Sequence, residues 1–267
     1  MEEKKEYFIT ALNALDKEIR SAIKISETRN GVQHTGRQLR VLDAFGKVMA
    51  HVLSIKLIAD KSIETDDANF LDHYSLATLS RTVIDSSIMV HYLSEPKLNA
   101  LEWEIRRNVL YLHDANNRKR FLRYAMKLVN LPPDDISDDL KEDDKQKIIG
   151  IIKNCGAELG YSPDKVNRLI SGQPVFIDGL RGAVREADLD LDQFEFSYTY
   201  LSNHVHSHPV SYIRAKQMAL SFIKPSEFQY VLSGFCLETV CMHLHLVAKR
   251  VDLFTGHISR DPNGQID

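Results

Sequence analysis

Residues 192–209, DQFEFSYTYLSNHVHSHP, admit two opposite readings, and the choice between them sets the fold class. Histidines stand at 204, 206 and 208, so on a strand all three would share one face. On a helix, successive residues turn by about 100°, and positions two apart point to nearly opposite sides. The helical reading has the better stripe, because Phe194, Tyr198, Ser202 and His206 recur every fourth residue. That stripe runs from aromatic to polar and ends at His206. Pro209 disfavours helical geometry at His208, so the spacing predicts a helix over about 191–207. The three histidines then cannot converge on one metal ion. His206 is expected to emerge from the core into a cleft, with His204 and His208 on the surface or in the turn.

Helical spacing recurs on both sides of this stretch. Phe8, Leu12, Leu15, Ile19 and Ile23 make one stripe, stopped by Asn30-Gly31. A second helix is predicted over about 38–58 with Leu42, Phe45, Met49, Val52 and Leu53 inward, and a third over about 71–93. Pro96 lies near the start of a long fourth that runs through WEIRRNVLYLHDANNRKRFLRYAMKLV. The stretch LPPDDISDDLKEDDK, near 131–145, reads as an acidic connector because two prolines exclude a helix interior. A helix near 140–155 follows, then short helical pieces such as SPDKVNRLI, then helices over about 191–207, 210–223 and 226–252. Apart from the short PVFI stretch there is no alternating strand pattern. The fold class is all-α: one helical domain, 1–267, a bundle of about seven to nine helices with a polar tail over 257–267.

Composition narrows the function classes. A chain of 267 residues with 43% apolar residues can bury a substantial core. Lys and Arg number 34 against 37 Asp and Glu, so no net field draws the whole protein to nucleic acid or an anionic membrane. The three cysteines, Cys155, Cys236 and Cys241, show no CxxC spacing, which points to a reducing cytoplasm rather than a disulfide framework or thiolate zinc site. Phe228–Ala248 is long enough to cross a bilayer and carries one formal charge, Glu238. Its Gln229, His243 and His245 would be costly in lipid, so it reads as a buried helix, with no membrane partner. Glu238, Cys241 and His245 share a face of it, as a plain polar cluster would. P-loop, GxGxxG, HExxH and GxSxG patterns are absent from the sequence.

The stretch LSRTVIDSSIMVHYL places Arg81 and Asp85 four apart. Tyr74, Ala77, Ile88 and Tyr92 share their face, while Leu79, Val83, Val90 and Leu93 make the opposite side apolar too. A helix apolar all round is central to its bundle, so both charges are expected to be largely buried. Two readings follow: Arg81 and Asp85 satisfy each other, or Asp85 holds the guanidinium toward an anion.

An arginine and an acid four residues later, here Arg81 and Asp85, then Tyr198, Leu201, Ser202 and His206, resemble a group of uncharacterised bacterial helical proteins. In that group the acid is more often Glu. More distantly, Asn203 to His206 is similar to the NxxH piece of the HEPN superfamily (higher eukaryotes and prokaryotes nucleotide-binding). That resemblance implies a toxin or phage-defence protein, a homodimer and a metal-independent ribonuclease acting on RNA or a nucleotide. Many such enzymes carry an Arg-x(4 to 6)-His motif on one helix; the positions four to seven before His206, 199–202, hold no arginine, which leaves Arg81 to supply the charge. On this reading His206 is general acid/base, Arg81 stabilises phosphate charge and Asp85 orients it. Tyr198, Ser202 and Asn203 position substrate, and no cofactor is needed. Arg106, Arg107, Arg118, Lys119, Arg120 and Arg123 are candidates to guide RNA. The alternatives are a non-catalytic helical sensor or partner-binding protein with a buried polar network, and a metal-dependent hydrolase drawing on two of the three histidines and a carboxylate.

Overall fold

The computed structural model describes residues 1–64, 70–129, 142–206, 208–221 and 223–256. The fold is all-α, as the periodicity predicts, with nine α-helices and no strand among the described residues. These are α1 (Glu2–Arg29), α2 (Gly36–Glu64), α3 (His73–Leu93), α4 (Ala100–Val129), α5 (Glu142–Glu158), α6 (Pro163–Ile170), α7 (Gly179–Glu186), α8 (Leu191–Val205) and α9 (Glu227–Gly256). The PVFI stretch forms bends and turns. Most of the acidic connector, 131–141, and the polar tail, 257–267, lie outside the described residues; 142–145 form the first turn of α5.

Contacts group the chain into two compact units, Met1–Glu95 with Ala187–Asp267, and Pro96–Glu186. In the first unit α3 is the central helix, touching α2, α8 and α9, while α1 packs mainly on α9. Thirteen of the 21 residues of α3 are buried, including Leu76, Ile84, Ile88 and Val90, which is what an all-round apolar pattern dictates. The inward stripe of α1 is Phe8, Leu12, Leu15 and Ile19, closed by Ala22. Ile23, expected inward, is 37% exposed. In α2 the stripe is Val41, Phe45, Val48, Val52 and Ile55, and Leu53 falls outside it at 40% exposure. A spacing of three and four residues in turn keeps to one side of a helix better than the stripe with Leu53 does.

α9 is the one helix among the described residues long and apolar enough to cross a membrane. Its apolar length is used against α1, α2 and α3, with Leu237, Val240, Leu244 and Val247 fully buried. Gly234 lets the Tyr7 ring of α1 lie against the α9 backbone, where a Cβ would collide with it, and the Tyr7 hydroxyl donates to Glu238 Oε2 at 2.6 Å. Gly234→Ala is therefore expected to cost about 1–3 kcal/mol by overpacking, read from a urea-denaturation midpoint, and less in a Tyr7→Ala background.

Helix starts follow side-chain chemistry. Asp72 caps α3 by accepting from Ser75 N at 3.0 Å, and Asp190 caps α8 by accepting from Gln193 N at 2.8 Å. Thr35 and Gln38 at α2, and Asn99 and Glu102 at α4, exchange reciprocal bonds of 2.8 to 3.2 Å. Past α8 the chain departs from expectation. Among the described residues of 210–223, in place of the expected helix there is a 3-10 turn, Pro209–Ser211, and irregular turns in which Ala219 has φ +49°. Ile213 is 70% exposed and Ile223 84%, so no facing core rewards helix formation there, and tertiary packing supplies most helix stability. Gln229, 1% exposed, closes this loop onto α9 by accepting from Ser221 N and Ser226 N at 3.2 and 3.0 Å.

In the second unit, Ile105, Val109 and Leu112 of α4 meet Ile152 and Cys155 of α5, with Leu169 of α6 in the same core. The basic residues of α4 do not form one free surface. Arg106 is buried and paired with Glu186 at 2.7 Å, Arg107 pairs with Glu104 at 2.7 Å, and Arg118 with Asp114 at 2.9 Å. Arg120 donates to Asn117 Oδ1 at 3.1 Å, and Lys119 and Arg123 are exposed.

Candidate functional site

α3 and α8 lie side by side in the first unit and bring Arg81, Asp85, Tyr198 and Ser202 together. Arg81 Nε donates to Ser202 Oγ at 2.9 Å, and Nη1 is ion-paired with Asp85. The guanidinium carbon stands 3.3 Å from the centroid of the Tyr198 ring, so the cation rests on an aromatic face. Ser202 Oγ in turn donates to Tyr198 O at 2.6 Å, which uses the hydroxyl in both of its roles. Burial pushes the Tyr198 phenol above its ordinary range, with Arg81 opposing.

The two charges are not equally buried, which corrects the sequence expectation. The Arg81 side chain is 11% exposed, whereas Asp85 is 51% exposed. An aspartate four residues on can reach its arginine from the surface, and a carboxylate that stays hydrated avoids the desolvation cost of full burial.

The histidines exchange the places expected for them. His206 is exposed, and its backbone N–H caps the end of α8 on Ser202 O at 3.1 Å; its ring stacks on that of His208, centroids 5.5 Å apart. Its side chain forms no hydrogen bond or ion pair among the described residues, and it does not share in the bonds that hold Arg81 to Ser202 and Asp85. His204, expected on the surface, is 9% exposed. Tyr200 meets it edge-on at 5.5 Å, and Tyr74 lies 6.2 Å away. Burial, with a smaller contribution from His73, lowers its pKa, so it is neutral at neutral pH. Helix geometry explains the exchange. Steps of four overshoot a full turn by about 40° each, so the stripe from Phe194 to His206 drifts off the packed side. The buried set is Phe194, Ser197, Leu201 and His204, in steps of three, four and three. That alternation was the signal available for His204.

Asn203 serves the turn after α8: its Nδ2 donates to Thr199 O at 2.8 Å, and its Oδ1 meets His208 Nδ1 at 3.3 Å. Across α9, Glu238 takes the Tyr7 hydroxyl and His245 Nδ1 lies 3.2 Å from Glu18, so the polar cluster there pairs with α1. Among the described residues no group of three His, Cys, Asp or Glu side chains is placed to hold a metal ion.

No protein-family model, curated protein or solved structure matches the chain. A cavity of about 610 Å³ opens beside the cluster's two helices, bounded by Ile58 of α2, by Tyr74, Thr78 and Leu79 of α3, by His204 of α8 and by Tyr212 of the following turn. Arg81 and His206 are not among its walls. Thus the described geometry joins Arg81, Asp85, Tyr198 and Ser202 as one network and sets His204, instead of His206, at the cavity.

Proposed function

We propose that the protein is a non-catalytic helical sensor or partner-binding protein, in which the Arg81 network pins α3 to α8 and the neighbouring cavity takes a ligand. One observation carries this reading. The guanidinium that a phosphate-handling enzyme would present to substrate is committed to Ser202, Asp85 and the Tyr198 ring. Networks of this kind fix the register of packed helices. Tyr212 at the cavity and the adjoining Ile213 are 53% and 70% exposed, apolar surface of the sort that partners cover. Three free cysteines fit a reducing, cytoplasmic setting.

The second reading is the HEPN-like one: a toxin or phage-defence ribonuclease, homodimeric and metal-independent, acting on RNA or a nucleotide through His206 and Arg81. It is favoured by the exposed, stacked rings of His206 and His208, which leave two imidazoles accessible for proton transfer. A metal-dependent hydrolase has less support, given how the His, Cys, Asp and Glu side chains are distributed. Incubation of the purified protein with mixed-sequence RNA separates the first two. The sensor reading expects no cleavage, unchanged stability in His206→Ala and lowered stability in Arg81→Lys. Cleavage that disappears in a folded His206→Ala variant overturns it.

A further inference from the structure

The cavity between α2, α3 and α8 has a chemistry that narrows what can fill it. Ile58, Leu79 and Val205 give it apolar walls, and the Tyr74 and Tyr212 rings add aromatic ones. None of its described lining side chains is an acid, a lysine or an arginine. An ion entering it would give up part of its hydration with no counter-charge among the described lining side chains to offset the loss. The occupant that fits is therefore uncharged and flat enough to lie against rings.

Its polar groups are few: the Ser211 hydroxyl donates to His208 O at 2.7 Å and the Tyr74 hydroxyl to Ser211 O at 3.5 Å, which leaves Ser75, Thr78 and His204. Thr82, Ser87 and Ser94 turn their hydroxyls back onto α3 carbonyls at 3.1, 2.7 and 2.7 Å. Ser75 and Thr78 line the cavity three residues apart, on one side of α3, and their hydroxyls make no such bond. Facing them from α8 is His204, more than nine-tenths buried, whose Nδ1 has no hydrogen-bond partner. That nitrogen is itself closed to solvent, so the ring edge left to a ligand is the one carrying Nε2. A neutral imidazole offers one donor and one acceptor, and each hydroxyl offers both. The matching ligand edge carries a donor beside an acceptor.

We propose that this cavity binds an uncharged aromatic or heteroaromatic ring bearing an adjacent donor–acceptor pair, as in a carboxamide or lactam, held by Ser75, Thr78 and His204. The assignment rests on the sensor reading and names the class of molecule sensed. Benzamide and benzoate make a matched probe pair, since they share a ring and outline and differ in charge. Ligand-observed NMR titration of the full-length protein is expected to show benzamide binding at millimolar concentration and benzoate binding at least about tenfold more weakly. Thr78→Val, which keeps shape and removes the hydroxyl, and His204→Phe, which keeps a ring and removes both nitrogens, are each expected to weaken benzamide by about tenfold.

Benzoate binding as tightly as benzamide, benzamide failing to bind the wild type, or benzamide binding Thr78→Val unchanged each overturns the assignment. If His204→Phe does not fold, Thr78→Val decides alone. RNA cleavage by a protein that still binds benzamide removes the sensor reading and leaves the cavity assignment standing, whereas loss of benzamide binding without cleavage does the reverse.

Discussion

Between pH 6.5 and pH 4 the unit built around α3 is expected to lose most of its stability, through two histidines that the fold holds neutral. His91 of α3 and His243 of α9 are 5% and 3% exposed, and His91 Nδ1, His91 Nε2 and His243 Nδ1 lack hydrogen-bond partners. Burial lowers both to a pKa of about 4, helped at His91 by Arg250 and by His243 itself. Glu95, the nearby acid, is already paired with Arg250 at 3.3 Å and is 4% exposed. The sign follows from which state binds protons more readily. Unfolded, each imidazole takes a proton near pH 6.5; folded, it resists until about pH 4. Their contribution is thus complete above 6.5 and falls away as pH drops through that window. A depression of this size is on the order of 3 kcal/mol per group. His73 and His204, lowered in the same direction, add to the loss. Urea denaturation at a series of pH values reads it directly, and His91→Phe with His243→Leu is expected to flatten the profile. A stability profile of unchanged steepness in that double variant would remove these two side chains as its cause.

The second large effect is expected at Arg81. Arg81→Ala should cost about 2–4 kcal/mol, because it removes the bond to Ser202, the stacking on Tyr198 and a nearly buried alkyl stem together. Asp85→Asn should cost less than about 1 kcal/mol, since that carboxylate is half in water. Arg81→Lys should fall between them: it keeps a positive charge for Asp85 but loses the planar group that covers the ring. A double-mutant cycle of Arg81→Ala with Ser202→Ala isolates the interaction between α3 and α8. Equal, small losses at Arg81 and Asp85 would mean that the network is not what holds these helices in register.

The fold was largely legible in the pattern of apolar residues. Long stripes at Phe8–Ile19 and the all-round apolar character of the third helix survive into the structure because burial rewards whichever face the spacing presents. Proline and asparagine-glycine signals act through local backbone geometry, so Gly31 takes φ +73° after α1 and α8 ends at Val205, ahead of Pro209. The segment 210–223 misled for the opposite reason. Its composition allows a helix, but whether a helix forms depends on a partner surface that local pattern does not contain.

At the site, the four-residue spacings put Arg81 with Asp85 and Tyr198 with Ser202, but neither their burial nor the meeting of the two pairs could be read from spacing. Which histidine enters the fold was settled by the few tens of degrees by which a four-residue step overshoots a turn, summed along α8. The chain's own pattern determined that this protein is helical, where most helices begin and end, and which residues have the chemistry to form a polar cluster. Only the packing of α2, α3 and α8 decided that Asp85 stays in water, that His204 loses its hydration and its charge, and that a cavity remains beside it. Those outcomes depend on which neighbour displaces water from a group, and that neighbour is supplied by residues far away along the chain.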